Sequence, residues 1–250
     1  MSADSPRPRR WVPRHWMRWL VGAVVVIAAL AVGGPFIYIH FVAAKAPAPF
    51  SIATKTHGTQ PAAPAASTSA TVPATATPLA GTWTVVSGSQ VGYRVNEVLF
   101  GQQNTAVGRT SAVNGHLTIT GHAAAAGTFT VAMATVKSDQ SQRDVQFNGR
   151  IMDTSSYPTA AFTLTHPISL DPPPAAGATR TYTAQGNLTL RGQTRPVTFK
   201  LTAEHVASTI KLSGSIPVTF AIWDIPNPSF GPITTQNHGS LEFLLNLSRS

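Results

Sequence analysis

Residues 186–197 read Gly-Asn-Leu-Thr-Leu-Arg-Gly-Gln-Thr-Arg-Pro-Val, and Phe199 and Leu201 continue the run. Leu188 and Leu190 are two apart, as are Val197, Phe199 and Leu201, while the residues between the two sets are polar or turn-forming. Apolar residues at a period of two on either side of a turn mark a β-hairpin, and Gly192 supplies the turn conformation. The same period recurs outward in both directions. Gln90–Val95 aligns Val91, Tyr93 and Val95; His116–Thr120 aligns Leu117 and Ile119; Thr128–Thr135 aligns Phe129, Val131 and Met133. Ala160–Thr165 aligns Phe162 and Leu164, Thr209–Phe220 carries Ile210, Leu212, Ile216, Val218 and Phe220, and Leu241–Leu247 repeats the pattern. Short alternating runs bounded by Gly, Pro, Asn and Ser are half-buried antiparallel strands. Threonine fills the opposite positions, as a solvated sheet face prefers. Eight or nine such strands between residues 81 and 250 predict an all-β domain, a barrel or a sandwich. Ser138–Tyr157 breaks the period; Phe147 and Ile151, four apart, predict one short helix or turn packed on the sheet.

Upstream of this domain the composition changes twice. The chain has 250 residues, a net charge of +9, 11% charged residues and no cysteine. The missing cysteine excludes a disulfide framework, a thiolate metal site and a cysteine nucleophile. Five arginines (Arg7, Arg9, Arg10, Arg14, Arg18) precede residue 20, so the basic charge is concentrated before the folded domain. A nucleic-acid module carries its charge on the domain itself, and that class is set aside. Residues 1–18 form a basic tail. Residues 19–44 contain no charged side chain, which is long enough for a membrane core of about 20 residues. Trp16 and Trp19 sit at the first edge, and the arginines keep that end cytoplasmic. The expectation is a single-pass anchor in a bacterial cell membrane, with the C-terminal domain extracytoplasmic. The alternative is a cleaved signal peptide; Ala44-Lys45-Ala46 resembles a cleavage site, but Pro47 follows it. Residues 45–80 are rich in Pro, Ala, Ser and Thr, have few large apolar residues, and predict a flexible spacer.

Several phrases of residues 81–250 follow one another in a familiar order. They are Trp83, then Ser89-Gln90-Val91-Gly92-Tyr93-Arg94-Val95, then Val107-Gly108-Arg109 before Gly115-His116-Leu117-Thr118-Ile119. Ser138-Asp139 and Arg143-Asp144 come next, then Tyr157-Pro158-Thr159-Ala160-Ala161-Phe162, and finally the hairpin of residues 186–197. Together they resemble the YceI-like, polyisoprenoid-binding family. The resemblance implies an extended lipocalin-like antiparallel β-barrel of about eight strands with one short helix. It also implies an apolar interior that holds an isoprenoid chain, such as a quinone tail or a polyprenyl lipid, and a secreted or periplasmic location. The chain departs from the family pattern at Val86 to Ser89, at Asn96-Glu97 and at Trp223-Asp224-Ile225-Pro226. The polar head-group contacts of those positions are therefore not carried over; the apolar lining is.

On this reading the tunnel-lining candidates are Val91, Tyr93, Val95, Leu117, Ile119, Phe129, Val131, Met133, Phe162, Leu164, Leu188, Phe199 and Phe220. Arg143 and Asp144 are the candidates for polar contacts at the mouth, with an ion pair capping the short helix as the alternative. No metal site is expected, because the eight histidines have no His-x-x-x-His or His-x-His spacing. No Gly-x-Ser-x-Gly elbow is present and nothing pairs the carboxylates, so an enzyme is not expected. Two functions compete. One is a membrane-tethered carrier or store of an isoprenoid lipid, with no cofactor beyond that lipid. The other is a non-enzymatic structural or interaction module, whose barrel is filled and whose loops, such as 226–232, bind a protein or a cell-wall polymer.

Overall fold

The computed structural model describes residues 18–27, 46–52, 79–99 and 101–250. The strands are β1 (Gly81–Val85), β2 (Gln90–Leu99), β3 (Gln102–Thr110), β4 (Val113–Thr120), β5 (Ala123–Ala132), β6 (Lys137–Ser138), β7 (Thr159–Leu164), β8 (Ile168–Ser169), β9 (Thr179–Leu190), β10 (Gln193–Val206), β11 (Thr209–Thr219), β12 (Ile233–Thr235) and β13 (His238–Arg249). Their order is that of a meander closed on itself. β1 pairs β4, β4 pairs β5, β5 pairs β7, and β7, β9, β10, β11 and β13 follow in turn. Pairing of β1 with β13 completes the ring, with Trp83 opposite Arg249 and Val85 opposite Leu247. β2 and β3 extend β1 and β4 past short breaks, so β13 pairs β1 at one end and β2 at the other. Counted as continuous staves, this is a closed eight-stranded antiparallel barrel, in which β10 and β11 pair from Leu201 to Val206 and part toward the helix-bearing end.

The deciding hairpin is β9–β10. Arg191 and Gly192 form its two-residue turn, with φ of 46° and 74°, the left-handed pair of a type I′ turn. The expected helix spans Ser141–Gln146, and a wider π turn, Phe147–Ile151, continues it. It sits across the end of the barrel that holds the β9–β10 turn. Arg150 fastens it there, donating to the carbonyl oxygens of Asn227 at 3.1 Å and Pro228 at 3.2 Å. β1 and β3 were not among the strands expected from alternation. β3 turns only Asn104, Ala106 and Gly108 inward along its middle, so it carries no apolar stripe.

The buried core falls into two clusters. One, near the helix, gathers Val95, Met133, Phe147, Met152, Leu188, Phe199, Phe220 and Trp223. The other closes the far end around Trp83, Leu117, Ile119, Ile210, Leu212, Leu245 and Leu247. Trp83 and Leu247 are fully buried at 0% exposure. The Trp83 indole donates to the Leu79 carbonyl at 2.8 Å and meets His205 edge to face, with centroids 5.7 Å apart. Among the described residues every strand pairing lies within Gly81–Arg249, so this part of the chain carries its own core.

Of the expected membrane span, residues 19–27 are helical and their apolar side chains are exposed; residues 28–44 lie outside the described residues. No helix among the described residues is long and apolar enough to cross a membrane. The expected spacer is described only at its two ends. Residues 46–52 lie against the outer face of the barrel rather than hanging free. Arg94 Nη2 donates to the Pro47 carbonyl at 2.7 Å, Arg109 donates to that of Ala48, and the Arg109 guanidinium lies 4.0 Å over the Phe50 ring. Ile52 is buried. The composition of a spacer conceals Phe50 and Ile52, which supply the apolar contact, and the arginines that fasten this stretch sit far along the chain.

Candidate functional site

Inside the barrel is a cavity of about 900 Å³, open at the helix-bearing end. Ligand pockets of roughly 300–1,000 Å³ take a small-molecule guest. Its wall is overwhelmingly apolar. Ten of the expected lining residues face it: Val91, Tyr93, Val95, Phe129, Val131, Met133, Phe162, Leu188, Phe199 and Phe220. Leu117, Ile119 and Leu164 also face inward, but they line a separate chamber at the far end. Wall residues that alternation did not single out include Ala106, Ile151, Met152, Ala160 and Ile225. Those from the helix and the loops could not be found by a period of two.

A barrel core can be filled by its own side chains. Here the rings are kept against the wall by glycines on neighbouring strands. A Cβ at Gly108 would lie 2.3 Å from the Tyr93 ring, one at Gly186 2.4 Å from Phe162, and one at Gly214 2.6 Å from Phe243. Each glycine is a slot into which an aromatic side chain lies down, the arrangement by which aromatics cover strand glycines. Phe162, Phe199 and Phe243 then touch edge to face at centroid separations of 5.4 and 5.9 Å. The glycine that opens residues 186–197 thus has a steric reason: it makes room for Phe162.

The mouth joins an apolar rim to a polar cluster. Val145 on the helix and Phe230 on the 226–232 loop line the opening and are 68% and 65% exposed. Just inside, Glu97 is buried and accepts from Asn104 Nδ2 at 2.7 Å and from Arg143 Nη2 at 2.9 Å. Arg143 also pairs with Asp139, four residues earlier. Burial by itself would lower the Arg143 pKa, but the Glu97 and Asp139 carboxylates outweigh it and raise it. Thr235, opposite Glu97 in the β2–β12 pairing, is buried on the wall, and its hydroxyl has no hydrogen-bond partner among the described groups. Glu97 continues the inward series Val91, Tyr93, Val95, so the same alternation that finds the lining also finds the carboxylate at its edge. Arg143 stands at the mouth as expected. Asp144 does not: it is turned away from the cavity and accepts from the Ser138 amide and hydroxyl, both at 2.8 Å, tying the helix to β6.

Tyr93 lies stacked on Phe147, with centroids 5.2 Å apart and planes at 16°. Burial pushes its phenol up to about 12, more than neighbouring Arg143 draws it down. A raised folded-state value means that the folded protein holds this proton more tightly than the unfolded chain does. The associated stability is complete below about pH 10 and is lost as the pH rises from there through about 12. In an absorbance titration of tyrosinate, one of the four tyrosines is expected to ionise late, and Tyr93→Phe should remove that step. An unchanged profile in the variant would show that Tyr93 is not held in this way.

Comparison with known proteins agrees with this geometry. The family model described as YceI-like domain matches residues 83–247. No curated protein matches the chain. Among solved structures, a polyisoprenoid binding domain from Saccharophagus degradans implicated in plant cell wall breakdown is similar at 12% identity, with a TM-score of 0.56. The match covers 68% of this chain and 99% of that one. BcnA of Burkholderia cenocepacia is similar at 20% identity and a TM-score of 0.50, over 63% of this chain and 95% of its own. At these identities the likeness is one of fold.

Proposed function

This chain belongs to the YceI-like family, and from that premise we propose that it is a membrane-tethered, extracytoplasmic carrier or store that holds one isoprenoid lipid in its barrel and performs no catalysis. The observation that carries the reading is the open apolar cavity of about 900 Å³. Apolar burial is worth about 25 cal/mol per Å², so burying several hundred Å² of chain gives a gross gain on the order of 10 kcal/mol, of which ordering the chain takes back a part. A structural module with a filled barrel has no use for such a volume, nor for glycine slots that hold rings off the axis.

The mouth favours a neutral head group. Of the described residues that line the cavity, Arg143 is the one cation, and it is held between Glu97 and Asp139, so a phosphate beside it meets more negative than positive charge. A quinone carbonyl or an alcohol brings no charge to this cluster and needs only one hydrogen bond. The exposed Val145 and Phe230 suit a mouth that meets a bilayer, where lipid leaves and returns. The five N-terminal arginines and the uncharged residues 19–44 support the tether and its orientation.

Displacement of an environment-sensitive fluorophore from the chain beginning at Ala46 tests the cargo. Prenyl quinones and prenyl alcohols should displace it at least about tenfold more strongly than the corresponding prenyl phosphates. Equal displacement by all three would refute the head-group argument, and none by any would refute the carrier. Membrane fractionation tests the tether: the full chain should sediment with membranes and resist alkaline carbonate, whereas the chain from Ala46 should not.

A further inference from the structure

Beyond the main cavity, toward Trp83, lies a second chamber of about 80 Å³. Leu79, Leu117, Ile119, Leu170 and Ala203 line it and do not face the main cavity. Phe129, Phe162, Leu201 and Leu212 line both spaces and so form the layer between them. Of these, Phe162 is seated in the Gly186 slot, and Leu201 and Leu212 are flexible aliphatic side chains.

We propose that this layer sets the length of prenyl chain the protein accepts, and that the far chamber takes the chain's terminal methyl groups once the main cavity is full. The inference rests on the isoprenoid reading above and adds where the tail ends. The size of the chamber supports a terminus rather than a second guest: at about 30 Å³ for each water-sized group, it has room for roughly two or three such groups. The order of filling follows from position. The mouth opens into the main cavity and the chamber lies on the other side of the layer, so a chain entering at the mouth meets the main cavity first. Short chains stop at the layer, and only long ones pass Leu201 and Leu212.

The test is a series of all-trans prenyl alcohols, each one isoprene unit longer than the last, from farnesol to solanesol. Binding is measured to the chain from Ala46, which contains every strand and both core clusters. Ala203→Leu fills the far chamber without touching the main cavity. It is expected to weaken the longest chain that the wild type accepts by about tenfold, the equivalent of two methylenes no longer buried, and to leave farnesol unchanged. Leu212→Ala opens the layer and should move the best-bound length upward; a thermal melt of each variant confirms that it is folded. Identical length profiles in the wild type and both folded variants would overturn the gate while leaving the carrier standing. A wild type that binds no member of the series would overturn both.

Discussion

Replacing Val131 with Trp is expected to cut affinity for a prenyl chain by about a hundredfold or more while the barrel stays folded. Val131 stands opposite Val113 and Ala160 in the pairings of β5, is half-buried, and faces the main cavity. An indole there projects into the space the guest occupies. Excluding three or four methylenes, at about 0.8 kcal/mol each, is enough for the effect. The same ring in a closed core would cost about 1–3 kcal/mol by overpacking. In an open lumen most of that strain is absent, so the melting temperature should change little. Binding is read by the fluorophore displacement described above and folding by a melt. A variant that binds as tightly as the wild type would mean that the guest does not lie in this lumen.

Trp83→Ala should do the reverse, weakening the fold and sparing the site. The side chain is fully buried in the cluster that closes the far end, donates one hydrogen bond to Leu79 and packs on His205. It does not line the main cavity. Removing a buried Trp costs about 3–5 kcal/mol, and in a domain of this size each kcal/mol lowers the melting temperature by about 2–4 °C. A fall on the order of 10 °C is expected, with farnesol affinity retained below the transition. A melt within a degree or two of the wild type would show that the far end is not held together by this residue. The two variants separate the barrel's two ends: one controls binding, the other stability.

The fold was legible wherever a strand carries bulky apolar residues on one face. Phe129 and Val131 placed β5, although Met133 to Thr135, expected to continue it, form a 3-10 turn, and the turn at Gly192 placed β9–β10. It was not legible in β3, whose inward face is nearly bare, because Gly108 there accommodates the Tyr93 ring rather than contributing a side chain of its own. Alternation makes one set of the lining, since it shows which way a residue points but not how deep it lies. Leu117, Ile119 and Leu164 therefore appeared equal to Val91 and Tyr93, although they belong to a different chamber. Alternation could not say whether the barrel is open. That depends on pairs such as Phe162 with Gly186 and Phe243 with Gly214, which are distant in sequence and meet only across strands. Asp144 looked like a partner for a ligand because it follows Arg143; one step along a short helix turns it from the mouth to Ser138.

An open barrel occupied by an isoprenoid can be weighed. The most direct measurement is the mass of the protein purified with its membranes, taken first under native and then under denaturing conditions, followed by organic extraction of whatever is released. A native mass in excess by one prenyl lipid per chain, a neutral quinone or alcohol, is expected, with loss of that excess in Val131→Trp. A protein that carries nothing, or equal occupancy in the wild type and Val131→Trp, would contradict it.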